Sequence, residues 1–259
     1  MELEMFSANE DNWSDYFEKN GFVPFHDLFP VEAVEEVRQS FHSSVEAVSR
    51  KYGFGAAESD KDRKAYQVFS ADPVIRRNLY ALCQEFYSIQ RLSVRGKLMN
   101  VLQVQGMQVP VLRNQALRID FSEEPQFLQG IHQDVRGMRS SNCLNFWIPL
   151  QDANEKNGTL AVYPGSHKSG GIKPSKTNSS GYQIFTDEDV AAYEKVLLNL
   201  PAGSCIMFHP YLFHGSVAAD ASELRLTVTL RYDDIADMDW LQTEAPTFSD
   251  LDIQKVKAL

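Results

Sequence analysis

The chain has 259 residues, a formal net charge of −10 and a hydrophobic fraction of 43%, a composition that fits one large soluble core. The acidic balance argues against a general nucleic-acid or anionic-membrane binder, because the field of the whole protein repels polyanions. The three cysteines, Cys83, Cys143 and Cys205, lie far apart without any CxxC spacing, which excludes a disulfide framework or zinc finger and suits a reducing cytoplasm.

The acidic opening, MELEMFSANEDNW, has no apolar signal region, and no run approaches a membrane span. A short helix is expected over Asn12 to Glu18. GFVPF, Gly21 to Phe25, follows as a strand-like run. Pro30 then opens a long amphipathic helix to about Lys51, with Val34, Val37, Phe41 and Val45 at helical spacing. Asp72-Pro73 starts another helix, whose apolar positions Val74, Leu79, Leu82, Phe86 and Ile89 run on in one register.

The pattern changes after about Gly106. VPVL, LRIDF, FLQGIHQD, LNFWIPL, TLAVYP, SCIMF, LFHGSV and LRLTVTLRY are short runs rich in β-branched and aromatic residues, separated by turn material. Such spacing reads as a β-sandwich or barrel with the helices packed outside it. Lys168 to Thr186 is polar and glycine-bearing and reads as a long loop suited to a lid. No linker divides the chain. The expected organisation is a single domain over 1–259, helical to about 105, with a β core over about 106–235 and a tail over 236–259.

His132 and Asp134 are two residues apart in GIHQD. On a strand they would share a face, with Gln133 turned away. An imidazole and a carboxylate suit a divalent first-row metal, and a second histidine would complete a facial set with open positions. His214, before Gly215-Ser216, fits a strand end opening on a cavity. His209 lies an odd step away and is read as structural, and His167 as a solvated loop residue. In LRLTVTLR, Leu224, Leu226, Val228 and Leu230 make one face, and Arg225, Thr227, Thr229 and Arg231 the other. If the leucines pack under helices, the polar face looks inward, where an arginine is costly unless it meets an anion. Glu123-Glu124, beside Pro125, reads as a solvated turn.

These motifs, in this order, resemble the phytanoyl-CoA dioxygenase family of Fe(II)/2-oxoglutarate-dependent oxygenases: His132-Gln133-Asp134, NFWIPLQDANEKNGTLAVYPGSHK, FHPYLFHGS and Arg225 eleven positions beyond His214. The likeness spans roughly Leu112 to Tyr232. It implies a double-stranded β-helix (jelly-roll, cupin-like) core flanked by helices. It implies His132, Asp134 and His214 as ligands of Fe(II), Arg225 and Ser216 as holders of the far carboxylate of 2-oxoglutarate, and Arg118 as a further cosubstrate contact. Trp147, Arg136 and Arg139 are candidate substrate contacts.

The implied activity is oxidation of a C–H bond, by hydroxylation or a related outcome, of a small polar metabolite or natural-product intermediate. O2 is consumed, and succinate and CO2 are released. No nucleic-acid or membrane partner is expected. The alternative is a metal-binding, cupin-like protein or isomerase without oxygenase activity, which would have no need of Arg225.

Overall fold

The structure, a computed structural model, describes residues 3–10, 12–172, 174, 176–177, 183–218 and 224–238. Six helices fill the first part of the chain: α1 (Trp13–Asn20), α2 (Val31–Tyr52), α3 (Lys61–Ala71), α4 (Pro73–Cys83), α5 (Tyr87–Ser93) and α6 (Gly96–Val104). The first ends at Gly21, whose φ of 79° is the left-handed conformation that glycine adopts without strain. In α2 the expected stripe Val34, Val37, Phe41 and Val45 is buried. Both α3 and α4 begin on an aspartate. Asp60 accepts from the amides of Asp62 and Arg63, and Asp72 from those of Val74 and Ile75.

The helix expected from Pro73 through Ile89 is broken at Gln84–Phe86. Its register was misleading, because Val74 and Leu82 are 52% and 66% exposed whereas Leu79 and Ile89 are buried. At the break the Gln84 side chain accepts from the Leu117 amide and donates to the carbonyls of Leu117 and Tyr80.

Among the described residues ten strands form two main layers and a small hairpin, the first of them lying between α1 and α2. They are β1 (Phe22–Phe25), β2 (Pro110–Phe121), β3 (Cys143–Pro149), β4 (Leu160–Val162), β5 (Lys176–Thr177), β6 (Gln183–Ile184), β7 (Val196–Leu197), β8 (Cys205–Phe208), β9 (His214–Ser216) and β10 (Leu224–Asp234). A five-stranded sheet runs β1-β8-β3-β10-β2 and a three-stranded sheet β7-β4-β9, while β5 and β6 pair alone. All pairings between these strands are antiparallel. The hairpin β5–β6 lies within the segment read as one loop. Residues 173, 175 and 178–182 of that loop lie outside the described residues, as does the expected tail beyond 238.

Period-two alternation sorts the large sheet into two faces. Val23, Phe25, Phe146, Ile148, Met207, Leu226, Val228 and Leu230 join the helices in an outer core, together with Val37, Phe41, Phe69 and Leu102. Burying a side chain such as Phe41 contributes roughly 1.5–3 kcal/mol by apolar transfer. Phe22, Trp147, Ile206 and Phe208 point the other way and meet Leu160 and Val162 of the small sheet. The leucines of β10 therefore do pack outward under the helices, and the Arg–Thr–Thr–Arg face looks into the space between the sheets.

Candidate active site

The site is built where the two layers meet. His214 begins β9. His132 is joined to it by an isolated antiparallel bridge, with the His132 amide donating to the His214 carbonyl at 2.8 Å and the reverse bond at 3.1 Å. Gly215 permits this approach, since a Cβ there would stand 3.1 Å from the backbone of Gly130 and Ile131.

His132 and Asp134 do not share a continuous strand. Asp134 opens a 3-10 turn, Asp134–Gly137, and its amide donates to the Pro210 carbonyl at 2.9 Å. The convergence expected from strand parity is thus produced by a bridge followed by a turn. Gln133 does point away. Its amide group donates to the carbonyls of Gly170 and Tyr211, at 2.9 and 2.6 Å, and accepts from the Ile172 amide at 2.8 Å.

His132, Asp134 and His214 are all buried, and one potential ligand atom from each lies within 4.8 Å of the others. His132 Nε2 is 3.4 Å from Asp134 Oδ1, and His214 Nε2 is 3.8 Å from Oδ2. Ligands bonded to one first-row ion at about 2.1 Å stand roughly 3 Å apart when adjacent, so these donors, within 4.8 Å of one another, would draw together around an ion. His132 Nδ1 lies 2.8 Å from the Gly130 carbonyl and His214 Nδ1 3.0 Å from that of Leu212. Each carbonyl fixes the proton on Nδ1 and leaves Nε2 as a lone-pair donor facing the common point.

The electrostatics agree. Burial, reinforced by the neighbouring His132, pushes the His214 imidazole down to about 3, so it is neutral at physiological pH. Burial opposes ionisation of Asp134, but the Arg231 guanidinium and the His132 contact outweigh it and hold the carboxyl well below the usual range. Two imidazoles and one carboxylate on one side of an ion fit a divalent first-row metal with open positions.

The cavity over this cluster holds about 130 Å³. Its walls include Trp147, Ser216, Thr227, Thr229, Arg118 and Arg231. Arg225 is buried on the same inward face. Its Nη1 donates to the carbonyls of Thr159 and Val217, at 2.9 and 3.2 Å, and its Nη2 to Asp120 Oδ2 at 2.9 Å. Arg225 Nε and the hydroxyls of Thr227 and Thr229 are buried without a partner. Thr227 and Thr229 line the cavity and Arg225 does not; unpartnered hydroxyls on a cavity wall are a ligand's binding potential.

The family model for phytanoyl-CoA dioxygenase (PhyH) matches residues 17–225. The chain belongs to the phytanoyl-CoA dioxygenase family. A phytanoyl-CoA dioxygenase of Arabidopsis thaliana is 34% identical over 92 residues, covering 34% of this chain and 32% of the relative. An L-proline trans-4-hydroxylase of Streptomyces griseoviridis is 26% identical over 118 residues, covering 39% and 43%. The chain thus spans 32% and 43% of the length of these two curated relatives. Among solved structures, the non-haem α-ketoglutarate-dependent epimerase SnoN from nogalamycin biosynthesis superposes with a TM-score of 0.59 at 17% identity, covering 90% of both chains. EctD from S. alaskensis, solved with 2-oxoglutarate and 5-hydroxyectoine, gives 0.57 at 16% identity over 96% of this chain and 87% of its own. At such identities the likeness is one of fold.

Within this family member several expected residues have other surroundings than the sequence suggested. Arg225 meets its anion inside the protein, Asp120, which also accepts from Arg118 Nη2 at 3.2 Å. Arg139 is not among the cavity walls; its amide donates to Asp233 at 2.9 Å, and the side chain of Arg136 lies outside the described residues. His167 is packed rather than solvated. Its ring stands over Gly21, 5.5 Å from that of His209, and its Nε2 bonds the Glu18 carbonyl. His209 is buried, with Nδ1 accepting from the Tyr211 amide, and is not part of the His132–Asp134–His214 cluster. Glu124 is not a solvated turn residue, for it pairs in bidentate fashion with Arg76 at 2.5 and 2.6 Å. Asp120, Asn145 and Arg231 were missed as parts of the site. Arg231 and Asp120 carried a signal, their shared strand parity with Arg225 along β10 and with Arg118 along β2.

Proposed function

We propose that this protein is an Fe(II)- and 2-oxoglutarate-dependent oxygenase, with His132, Asp134 and His214 as the iron ligands. The observation that carries this reading is the convergence of three buried donors, the two histidines with Nδ1 already engaged, together with a buried arginine on β10 that keeps one unpartnered nitrogen. A cupin-like metal binder without oxygenase activity could use that arginine as the partner of Asp120, so the feature that separates the two readings is the unpartnered Nε. Bound Fe(II) would supply O2 activation coupled to oxidative decarboxylation of the keto acid.

The chain's own residues hold and orient. Arg225 Nε, with Ser216 and the Thr227 and Thr229 hydroxyls, is assigned to the far carboxylate of 2-oxoglutarate. Arg118 and Arg225 share Asp120, so the group of three keeps one positive charge for that carboxylate. Trp147 walls the cavity and excludes water on the side of the inner core. Gln133 anchors the start of the 168–186 segment to the ligand turn, which suits a lid.

The two sheets form, in this reading, a double-stranded β-helix core over about 106–235. The helices to about 105 belong to the same domain, because β1 completes the large sheet and α2 covers it. The substrate is a small polar metabolite or natural-product intermediate. A cavity of about 130 Å³ is well below the ~300–1,000 Å³ of sites for larger ligands, which favours small molecules over coenzyme thioesters. Free, buried cysteines at 83, 143 and 205 suit a cytoplasmic setting. Among the described residues no helix is long and apolar enough to cross a membrane. Succinate release, screened over such a panel with Fe(II), 2-oxoglutarate and O2, tests the reading. Substrate-stimulated succinate formation is expected from at least one class. Absence of any succinate, even uncoupled, with iron bound would refute it.

A further inference from the structure

The bonds onto Asp134 are divided unequally between its two oxygens. Oδ2 accepts from Asn145 Nδ2 at 3.2 Å, from Arg231 Nε at 3.1 Å and from Arg231 Nη2 at 2.9 Å. Oδ1 carries no such bonds and faces His132 Nε2 at 3.4 Å, while Oδ2 also stands 3.8 Å from His214 Nε2. We propose that Arg231 is a positioning residue which, with Asn145, holds Asp134 to coordination through one oxygen and so preserves a position at the metal for the reaction. The proposal rests on reading the site as an Fe(II)/2-oxoglutarate centre.

The coordination arithmetic gives the reason. Two histidines and a one-oxygen carboxylate leave three of six positions open. A chelating keto acid takes two, and O2 needs the third. A carboxylate bound through both oxygens would occupy that last position. Three hydrogen bonds, two of them charge-assisted, commit the lone pairs of Oδ2 to the protein and leave Oδ1 as the available ligand atom.

The arginine is itself held in place. Its Nη1 donates to Asn114 Oδ1 at 3.1 Å. Asn114 opposes Arg231 in the β2–β10 register, next to a bulge where Arg113 is the extra residue. On the other side Asn145 of β3 pairs with Arg231. The two donors thus reach one oxygen from neighbouring strands of a rigid sheet. The backbone of Asp134 is already fixed by its bond to the Pro210 carbonyl. What Arg231 adds is control over rotation of the carboxylate. A lysine has no planar fork and would satisfy one direction only.

The test uses the anaerobic Fe(II) protein titrated with 2-oxoglutarate, together with crystal structures of the Mn(II)-loaded protein. In the parent, Mn(II) is expected on Oδ1 alone. In Arg231→Gln, metal is retained, Asp134 binds through both oxygens, and 2-oxoglutarate affinity falls about tenfold or more. Arg231→Lys falls between the two. If Arg231→Gln does not fold, Asn145→Ala keeps the ion pair and is expected to shift the visible band and the affinity in the same direction, to a smaller extent. Two-oxygen coordination in the parent overturns the proposal. So do a band and an affinity unchanged in every variant that folds. A parent that binds no 2-oxoglutarate through iron would instead sink the underlying reading, and is recognised before any variant is made.

Discussion

Arg225 and Asp120 face each other across the β10–β2 register, with Nη2 2.9 Å from Oδ2 and both side chains buried. The arginine assigned to an external carboxylate is therefore held by an internal one. Removing one partner of a buried pair leaves an uncompensated charge and costs about 3–5 kcal/mol. Because Arg118 keeps its hold on Oδ1 of Asp120, the loss in Arg225→Gln should fall toward the lower end of that range. Adding Asp120→Asn should recover part of the stability in urea denaturation and none of the 2-oxoglutarate binding. Parent-like binding by the double variant would remove Arg225 from its assigned role.

Gly215 sets the distance between the two histidines. Alanine there would press a methyl against the backbone of Gly130 and Ile131 at 3.1 Å, and backbone yields only by moving the His132–His214 bridge. Gly215→Ala is expected to weaken Fe(II) binding about tenfold, the scale of disturbed ligand orientation, with a small change in thermal midpoint. Unaltered iron affinity would mean that the ligand cluster tolerates the displacement.

Gln133 spends all its described hydrogen bonds on Gly170, Ile172 and Tyr211. In Gln133→Leu these partners are left unpaired, at about 1–3 kcal/mol for each buried group. Amide exchange at Ile172 should quicken selectively, while the helices α2 and α4 keep parent protection. Equal exchange at Ile172 in both proteins would show that the segment is held by other means.

Much of this was readable from sequence because alternation is local. The parity of Leu224 to Arg231 gave both faces of β10 correctly, and Pro30 and Asp72-Pro73 marked true helix starts. Where the sequence misled, a distant partner decided. Gln84 bonds Leu117 and ends a helix whose apolar register continues. Asp134 lies in a turn because its amide finds Pro210, not a strand neighbour. The pairings Arg225–Asp120 and Arg76–Glu124 join residues 105 and 48 positions apart, and neither spacing nor composition encodes such choices. The three side chains that cluster here were legible together through the order of the motifs around His132, Asp134 and His214, which the family resemblance supplied.

Asp234 ties the end of β10 to the approach to β2. It accepts from the amides of Gln108 and Val109 at 2.8 Å each, and from Ala236 at 3.1 Å. Burial raises its pKa, but these bonds, with Asn142, outweigh it and the carboxyl lies below its ordinary value. A depressed folded-state pKa stabilises fully above the unfolded value of about 3.9 and is lost as pH falls through the folded one. Asp234→Asn should lower stability at neutral pH by about 1.5–3 kcal/mol and reduce the acid sensitivity below about pH 4. Parallel acid-unfolding curves for the two proteins would contradict that assignment.

The most direct measurement is an anaerobic titration of the purified apoprotein, first with Fe(II) and then with 2-oxoglutarate, followed by visible absorption. The account predicts one iron per chain and a weak charge-transfer band that saturates at one equivalent of keto acid, absent in His214→Ala and weakened in Arg225→Ala. Iron binding without that band, or a band undiminished in His214→Ala, would contradict it.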